Sequence, residues 1–288
     1  MMLAPKSILL RKLCLLTVAM LLFSGIEIAA QEMRVATFNL RYANPKDSGN
    51  LWADRVPVVA ALIEFHDFDI FGTQEALPGQ VNDLQNLLPG YSWYGVGRDD
   101  GKDKGEHSSI FFKKDKYQVI NKGDFWLSQT PDKPSLGWDA ICCFRICSWI
   151  KFKDTKTAKE FYFFNVHYDH QGVKAREESS KLMLQKINEI AGSAPVILTG
   201  DFNGSQTSSW YLALANSGIL TDVYKAVPNP YAFSSSFNNF STQSRSKDII
   251  DHIFISKHFK AKKYGILTDN YYGKFPSDHF PVLSVISW

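Results

Sequence analysis

Charge of one sign is what this 288-residue chain has least of, with 32 Lys and Arg against 29 Asp and Glu. So balanced a surface excludes a protein that holds nucleic acid by bulk charge, although local basic patches stay open. Cysteine is scarce as well. Of four, only Cys142, Cys143 and Cys147 lie beyond residue 30, crowded into one strand-like stretch. An odd number so placed is no disulfide framework, and no partner Cys or His pair completes a zinc site. These cysteines read as strand residues, with oxidation of one pair left open. There is no internal repeat and no low-complexity linker. Beyond residue 30, no apolar run approaches the roughly 20 residues of a membrane span.

The first thirty residues stand apart. Lys6, Arg11 and Lys12 give a basic start, Leu13 to Ile26 is apolar, and Ile28-Ala29-Ala30 precedes the polar Gln31-Glu32. That is the layout of a secretory signal peptide. A membrane anchor is the alternative, but the apolar stretch is short for one. Cys14 opens the apolar region instead of following it, which argues against a lipoprotein. The reading is export to the periplasm or beyond, with residues 1–30 removed and no stable membrane insertion afterwards. Without them, 29 bases face 28 acids. With 45% hydrophobic and 14% aromatic residues, residues 31–288 can bury one large α/β domain.

Strand-like runs lie near 33–40, 68–75, 107–113, 117–127, 140–153, 160–168, 195–200, 249–256 and 280–287. Helix-like runs lie near 52–65, 78–88, 173–192 and 207–217. Leu184, Ile187 and Ile190 recur at helical spacing in the third, behind a charged first turn of Lys174, Arg176, Glu177 and Glu178. From 107 to 168 strands follow one another without a helix and are expected to pair antiparallel. The mixture predicts antiparallel-rich sheets with helices outside, not a doubly wound parallel sheet. Long loops at 41–51, 97–106, 128–139 and 228–247 are the expected carriers of specificity.

The strands end unusually. Val196 to Asn203 reads V-I-L-T-G-D-F-N, a buried run that stops at Gly200 and delivers Asp201 and Asn203, two apart and able to face one side. V-A-T-F-N ends in Asn39, I-F-G-T-Q-E in Glu75 and F-F-N-V-H in His167. I-I-D-H-I-F-I carries Asp251, and S-D-H-F-P-V puts Asp278 and His279 before the last strand. A carboxylate at a buried strand end needs positive charge, and Mg²⁺ takes one or two such groups, with water and phosphate filling the rest. Glu75 is therefore the first metal-ligand candidate, with Asn39 beside it as a phosphate or outer-sphere contact. His167 and His279 each have a candidate acidic orienter, Glu106 and Asp251, of the kind that fixes a tautomer and raises a pKa. His107 and His252 point to the opposite strand face. Asp169 and His170, in H-Y-D-H-Q-G, either meet substrate or form a turn. Trp126 and Trp138 offer stacking surfaces, although core packing suits Trp126 better.

In order along residues 32–288, T-F-N-L, Q-E, N-V-H, G-D-F-N, I-D-H-I-F and S-D-H-F-P-V resemble the endonuclease/exonuclease/phosphatase superfamily. Deoxyribonuclease I, abasic-site endonucleases, deadenylases, neutral sphingomyelinases and inositol polyphosphate 5-phosphatases belong to it. F-N-L-R-Y-A-N-P, G-R-D-D-G and A-R-E-E-S resemble exported bacterial members, with the deadenylase-like branch nearest. The resemblance implies a four-layer α/β sandwich of two mixed, largely antiparallel sheets flanked by helices. It assigns Asn39, Glu75 and Asp278 to the metal and phosphate side, with Mg²⁺ or Mn²⁺ as cofactor. Asp201 and Asn203 polarise the attacking water and hold the transition state. Asp251 orients His279, and Glu106 pairs with His167. Arg41, Arg98, Arg145 and Arg176 are candidates for substrate phosphate, Arg176 and Arg41 first, with Asp169 beside them.

The expected activity is metal-dependent hydrolysis of a phosphate ester by in-line attack of an Asp-activated water. A phosphodiesterase or nuclease, exonuclease-like, comes first. An inositol-phosphate phosphatase and a sphingomyelinase-like lipid phosphodiesterase follow, because one centre serves many leaving groups. A catalytically dead phospho-ligand binder would lack an essential residue, and none is missing. The expected partner is the phosphate ester itself, as nucleic acid, inositol phosphate or phospholipid head group, with no obligate protein partner.

Overall fold

Strands buried on both faces read as continuous apolar runs, because each face must meet another layer. Val35 to Asn39 is buried throughout, and so are Ile70 to Gln74, Phe163 to His167 and Val196 to Asp201. The computed structural model describes residues 31–244 and 246–288. The expected signal peptide lies outside them. Residues Glu32–Trp288 form one unit. No helix of the described residues is long and apolar enough to cross a membrane.

In chain order the elements are β1 (Glu32–Asn39), α1 (Trp52–Phe65), β2 (Ile70–Gln74), α2 (Pro78–Leu87), β3 (Tyr91–Tyr94), β4 (Ile110–Lys113), β5 (Tyr117–Trp126), β6 (Ile146–Asp154) and β7 (Glu160–His167). Then follow α3 (Val173–Ala191), β8 (Val196–Asp201), α4 (Ser209–Ala215), β9 (Leu220–Asp222), α5 (Val223–Ala226), β10 (Asp251–Ser256), β11 (Lys260–Ile266) and β12 (Val282–Ser287). They build two six-stranded sheets, ordered β11-β12-β1-β2-β4-β3 and β5-β6-β7-β8-β10-β9. Each sheet has one parallel pair, β1 with β2 and β7 with β8. The remaining neighbours run antiparallel.

Three apolar clusters make the layers. Val35, Ile70, Phe112, Phe152, Phe163, Ile197, Ile253 and Val282 fill the space between the sheets. Phe38, Val59, Ile63, Phe71 and Leu84 join α1 and α2 to the outside of the first sheet. Phe164, Met183, Ile187, Leu198 and Leu214 join α3 and α4 to the outside of the second. This is the four-layer sandwich that the family resemblance implies. One polar seam crosses the inner layer. Asn165 accepts from Gln74 Nε2 at 2.7 Å and donates to Thr73 O at 2.8 Å. A Cβ at residue 72 would stand 2.1 Å from Asn165 Oδ1, so only Gly72 fits beneath it.

Some expectations are corrected. The strand expected over 140–153 begins only at Ile146, and Cys142 and Cys143 lie in the loop before it. They are bonded to each other, which closes a small ring around their peptide bond and takes them out of extended pairing. Cys147 is the buried strand cysteine. Of the strands between 107 and 168, β5, β6 and β7 do pair antiparallel, but β4 and β5 belong to different sheets. Asp251 opens β10 instead of lying inside it. Short or polar elements, β3, β9, β11 and α5, carry too little pattern to stand out in the sequence.

Candidate active site

Topology explains why the strand-end residues meet. β1 with β2, and β7 with β8, are parallel pairs, and the 3.0 Å hydrogen bond from Asn39 at the end of β1 to Asp201 at the end of β8 puts the C-terminal ends of both pairs at one edge of the sandwich. β10 and β12 run antiparallel beside β8 and β1, so their N-terminal ends lie at that edge too. Register completes the alignment, with His167 and Asp251 both level with Asp201, and Asn39 level with Gln74. Just past the strand ends the chain turns sharply. Glu75 (φ +62°) and Asn203 (φ +45°) take left-handed backbone, a conformation that costs about 1–3 kcal/mol where the side chain has a Cβ. The turn aims each side chain back over the edge.

Asp201 is the hub. Its Oδ1 accepts from the Asn203 backbone N–H at 2.9 Å, and its Oδ2 accepts from Asn39 Nδ2 at 3.0 Å. His167 Nε2 and His279 Nε2 stand 3.6 and 3.8 Å from the same Oδ2. Burial and the nearby Asp251 push the Asp201 carboxyl up to about 7. A buried carboxylate tuned near neutrality suits a proton acceptor working at neutral pH.

The two imidazoles are held in opposite states. Burial works against charging His279. Asp251, whose Oδ2 lies 2.9 Å from His279 Nδ1, outweighs it with Asp201 and Asp278, so the His279 pKa stands well above its ordinary value. His167 is depressed well below it, by burial first and then by Arg145 and Arg98. A cationic and a neutral imidazole therefore flank one carboxylate. Asp251 acts through the ring it orients, which makes a double-variant cycle informative. His279→Ala and Asp251→Ala should each lower kcat/KM by about a hundredfold, and the double variant should be little worse than either, since coupled residues are non-additive. Effects that multiply would mean that the two contribute separately.

Two acidic sets could hold a cation. Asp201, Asp251 and His279 bring three ligand atoms within 4.8 Å of one another. That set already contains its own positive charge in the protonated His279. Glu75 and Asp278 are the needier pair. Burial raises the Asp278 pKa and Glu75 adds to the rise, while His279 and Arg41 offset only part of it. Two oxygen-donor carboxylates short of positive charge fit a hard divalent ion. Asn39 was expected among the metal residues, but it presents its amide N–H group. Nδ2 donates to Glu75 Oε1 at 3.1 Å as well as to Asp201, and Oδ1 is taken by the Arg41 N–H. It ties the metal side to the base.

Other expected roles change. Glu106 lies 3.9 Å from His167 Nδ1, beyond hydrogen-bond reach, because both of its oxygens accept from Arg98, at 2.6 and 2.8 Å. Arg41 reaches the cavity but is held by Asp47 at 2.9 and 3.2 Å. Arg176 points away from the site. It lies over the Trp210 ring and donates to the Asp169 carbonyl. Asp169 is a turn residue, its Oδ1 accepting from the Gln171 and Gly172 N–H groups. Its Oδ2 faces Arg145 at 3.5 Å. Arg145 thus displaces Arg176 as the phosphate candidate, being buried, with Nη2 against His170 Nδ1 at 2.8 Å and Nη1 unpartnered. The signal for it was present, as a lone cation entering the apolar run F-R-I-C. His252 is structural, with Nε2 at 2.9 Å from Gly204 O. Trp126 is buried and donates to Arg98 O, in keeping with packing.

Glu75, Asp201, Asn203, His167, Asp278 and His279 line one cavity of about 630 Å³, with Arg41, Arg98 and Arg145 on its walls. Two mixed sheets between helices, carrying this group at one edge, define a phosphoesterase of the deoxyribonuclease I-like fold. The chain belongs to the endonuclease/exonuclease/phosphatase family, whose family model matches residues 36–279. A solved family protein of Bacteroides thetaiotaomicron is 50% identical, with a TM-score of 0.88 over 90% of this chain and 98% of that one. Mannosyl-6-phosphatase Bt3783 of Bacteroides thetaiotaomicron VPI-5482 is also 50% identical, with a TM-score of 0.87 over 89% of this chain and 100% of that one. The human Nocturnin catalytic domain is 20% identical, with a TM-score of 0.69 over 89% of this chain and 94% of that one, and shares the fold.

Proposed function

We propose that this protein is an exported, divalent-metal-dependent phosphomonoesterase acting on a phosphorylated sugar. The observation that carries the reading is the cavity. Its 630 Å³ is the scale of a small-molecule site. The near-neutral balance of residues 31–288 argues against the basic track that a long nucleic acid needs. Likeness to a mannosyl-6-phosphatase at 50% identity supports the same choice. The export is proposed on the composition of residues 1–30 alone.

Glu75 and Asp278 would hold Mg²⁺ or Mn²⁺, which when bound supplies positive charge at a phosphoryl oxygen. Asp201 takes the proton from the attacking water. Asn203, on the cavity wall, offers an amide N–H group to a phosphoryl oxygen as charge builds on it, while Asn39, whose amide N–H groups go to Glu75 and Asp201, holds those two carboxylates in place. His279, held protonated by Asp251, adds a full positive charge there, and the free Nη1 of Arg145 adds another. Such preorganised donors gain strength in a site that excludes water. No covalent enzyme intermediate is required.

A panel decides between this reading and the diester-cleaving one expected from sequence. Mannose 6-phosphate, other hexose 6-phosphates, inositol phosphates, single-stranded DNA and RNA, and sphingomyelin are each assayed with Mg²⁺. The expected result is the highest kcat/KM on a hexose 6-phosphate, with release of inorganic phosphate. A nucleic acid or phospholipid cleaved tenfold more efficiently would replace the sugar phosphate as substrate.

A further inference from the structure

We propose that the disulfide between adjacent Cys142 and Cys143 is a specificity element of this site, an apolar plate against which the hexopyranose ring of the substrate packs. Both cysteines line the cavity that contains Asp201, His167 and His279. The surroundings suit an amphipathic ligand. Acids, imidazoles and arginines gather around the reacting phosphate, whereas the disulfide, Tyr42, Phe237 and Ile250 give the same cavity apolar wall. A disulfide presents two polarizable sulfurs and no strong hydrogen-bonding group, so it favours the C–H face of a ring over its hydroxyl edge.

The plate is also held in place. The loop that carries it is fixed at its start by Asp139, whose carboxylate accepts from the backbone N–H groups of Lys174 and Ala175 at 3.0 and 2.6 Å. It is fixed at its end by Arg145, buried beside His170 and Asp169. Between these anchors Cys142 is exposed and Cys143 half-buried. A bonded pair on a loop pinned at both ends presents a surface of fixed position, which is what discrimination between ring shapes needs. The catalytic groups do not depend on the disulfide, because none of their hydrogen bonds involves it. Its effect should fall on KM, and only for substrates long enough to reach it.

This inference rests on the phosphomonoesterase reading, and the test separates the two. A phosphine reductant converts the disulfide to two thiols, with water supplying the oxygen of the phosphine oxide formed. Thiol titration of the native protein should show neither Cys142 nor Cys143 free, and reduction should release both. The reduced protein and the Cys142→Ser/Cys143→Ser variant should raise KM for hexose 6-phosphate about five- to tenfold, as expected for a lost sulfur or apolar contact. In both, kcat should stay close to its native value, and glycerol 3-phosphate, too short to reach the plate, should show an unchanged KM. Failure of the native protein to hydrolyse hexose 6-phosphate would overturn the phosphomonoesterase reading and with it the ring as occupant. Hydrolysis with KM unchanged on reduction, equal changes for both substrates, or free Cys142 and Cys143 thiols in the native protein would overturn the plate alone. If the double variant folds poorly by circular dichroism, the reduced native protein carries the comparison.

Discussion

Exhaustive removal of divalent cations is expected to take turnover below detection, and Mg²⁺ or Mn²⁺ to restore it. Glu75, just past β2, and Asp278, ahead of β12, are brought to one cavity from either side of β1, with too little positive charge between them. Arg41 stands 3.8 Å from Asp278 Oδ2 but is committed to Asp47. A phosphoryl group entering that space would meet two carboxylates, and at about 4 Å each like-charge pair costs about 4 kcal/mol at an effective dielectric of 20. Cation loss therefore removes an attraction and leaves a repulsion in its place. Glu75→Gln should weaken the apparent affinity for the activating metal far more than it weakens substrate binding at saturating metal. Unchanged turnover after chelation, with metal content checked by elemental analysis, would end the metal assignment.

The strand-end residues were legible in the sequence for one physical reason. A charged or amide side chain closing a fully apolar run must find a partner at the sheet edge, so Asn39, Glu75, His167 and Asp201 declared themselves. Their convergence was not legible, because it depends on parallel pairs in two different sheets and on register. Side-chain choice was less legible still. Glu106 had two possible partners, His167 and Arg98, and a guanidinium that accepts both carboxylate oxygens at once wins over a single ring nitrogen. Arg176 looked like a phosphate contact through the family resemblance of A-R-E-E-S, but the helical turn carries it onto Trp210. Adjacent cysteines in an apparent strand should have raised suspicion, since alternation sends neighbouring side chains to opposite faces. The strands over 33–40, 160–168 and 195–200 needed none of this. Their continuous apolar character fixed them to within a residue or two.

Asp201→Asn is expected to lower kcat by about 10²–10⁴-fold, the range for loss of a general base, without unfolding the protein. The substitution keeps the oxygen that accepts from the Asn203 N–H, so the turn survives. It replaces the other oxygen with an amide that cannot take a proton from water and that turns a donor toward the donating Nδ2 of Asn39. Stability should move the other way. Burial and Asp251 hold the folded-state pKa of Asp201 near 7, against an ordinary value of 3.8. A carboxyl raised in the folded state is bound to more protons there than in the unfolded chain, so wild-type stability from this group falls as pH rises from about 4 to about 7. The asparagine variant escapes that loss. In metal-free protein its melting temperature should match the wild type near pH 4, exceed it as pH rises, and level off in advantage above about pH 7. Thermal melts across that range, beside single-turnover rates, read both effects from one variant. A melting temperature lower than wild type at every pH would make Asp201 a structural cap, and near-normal turnover in a folded variant would remove it from the mechanism.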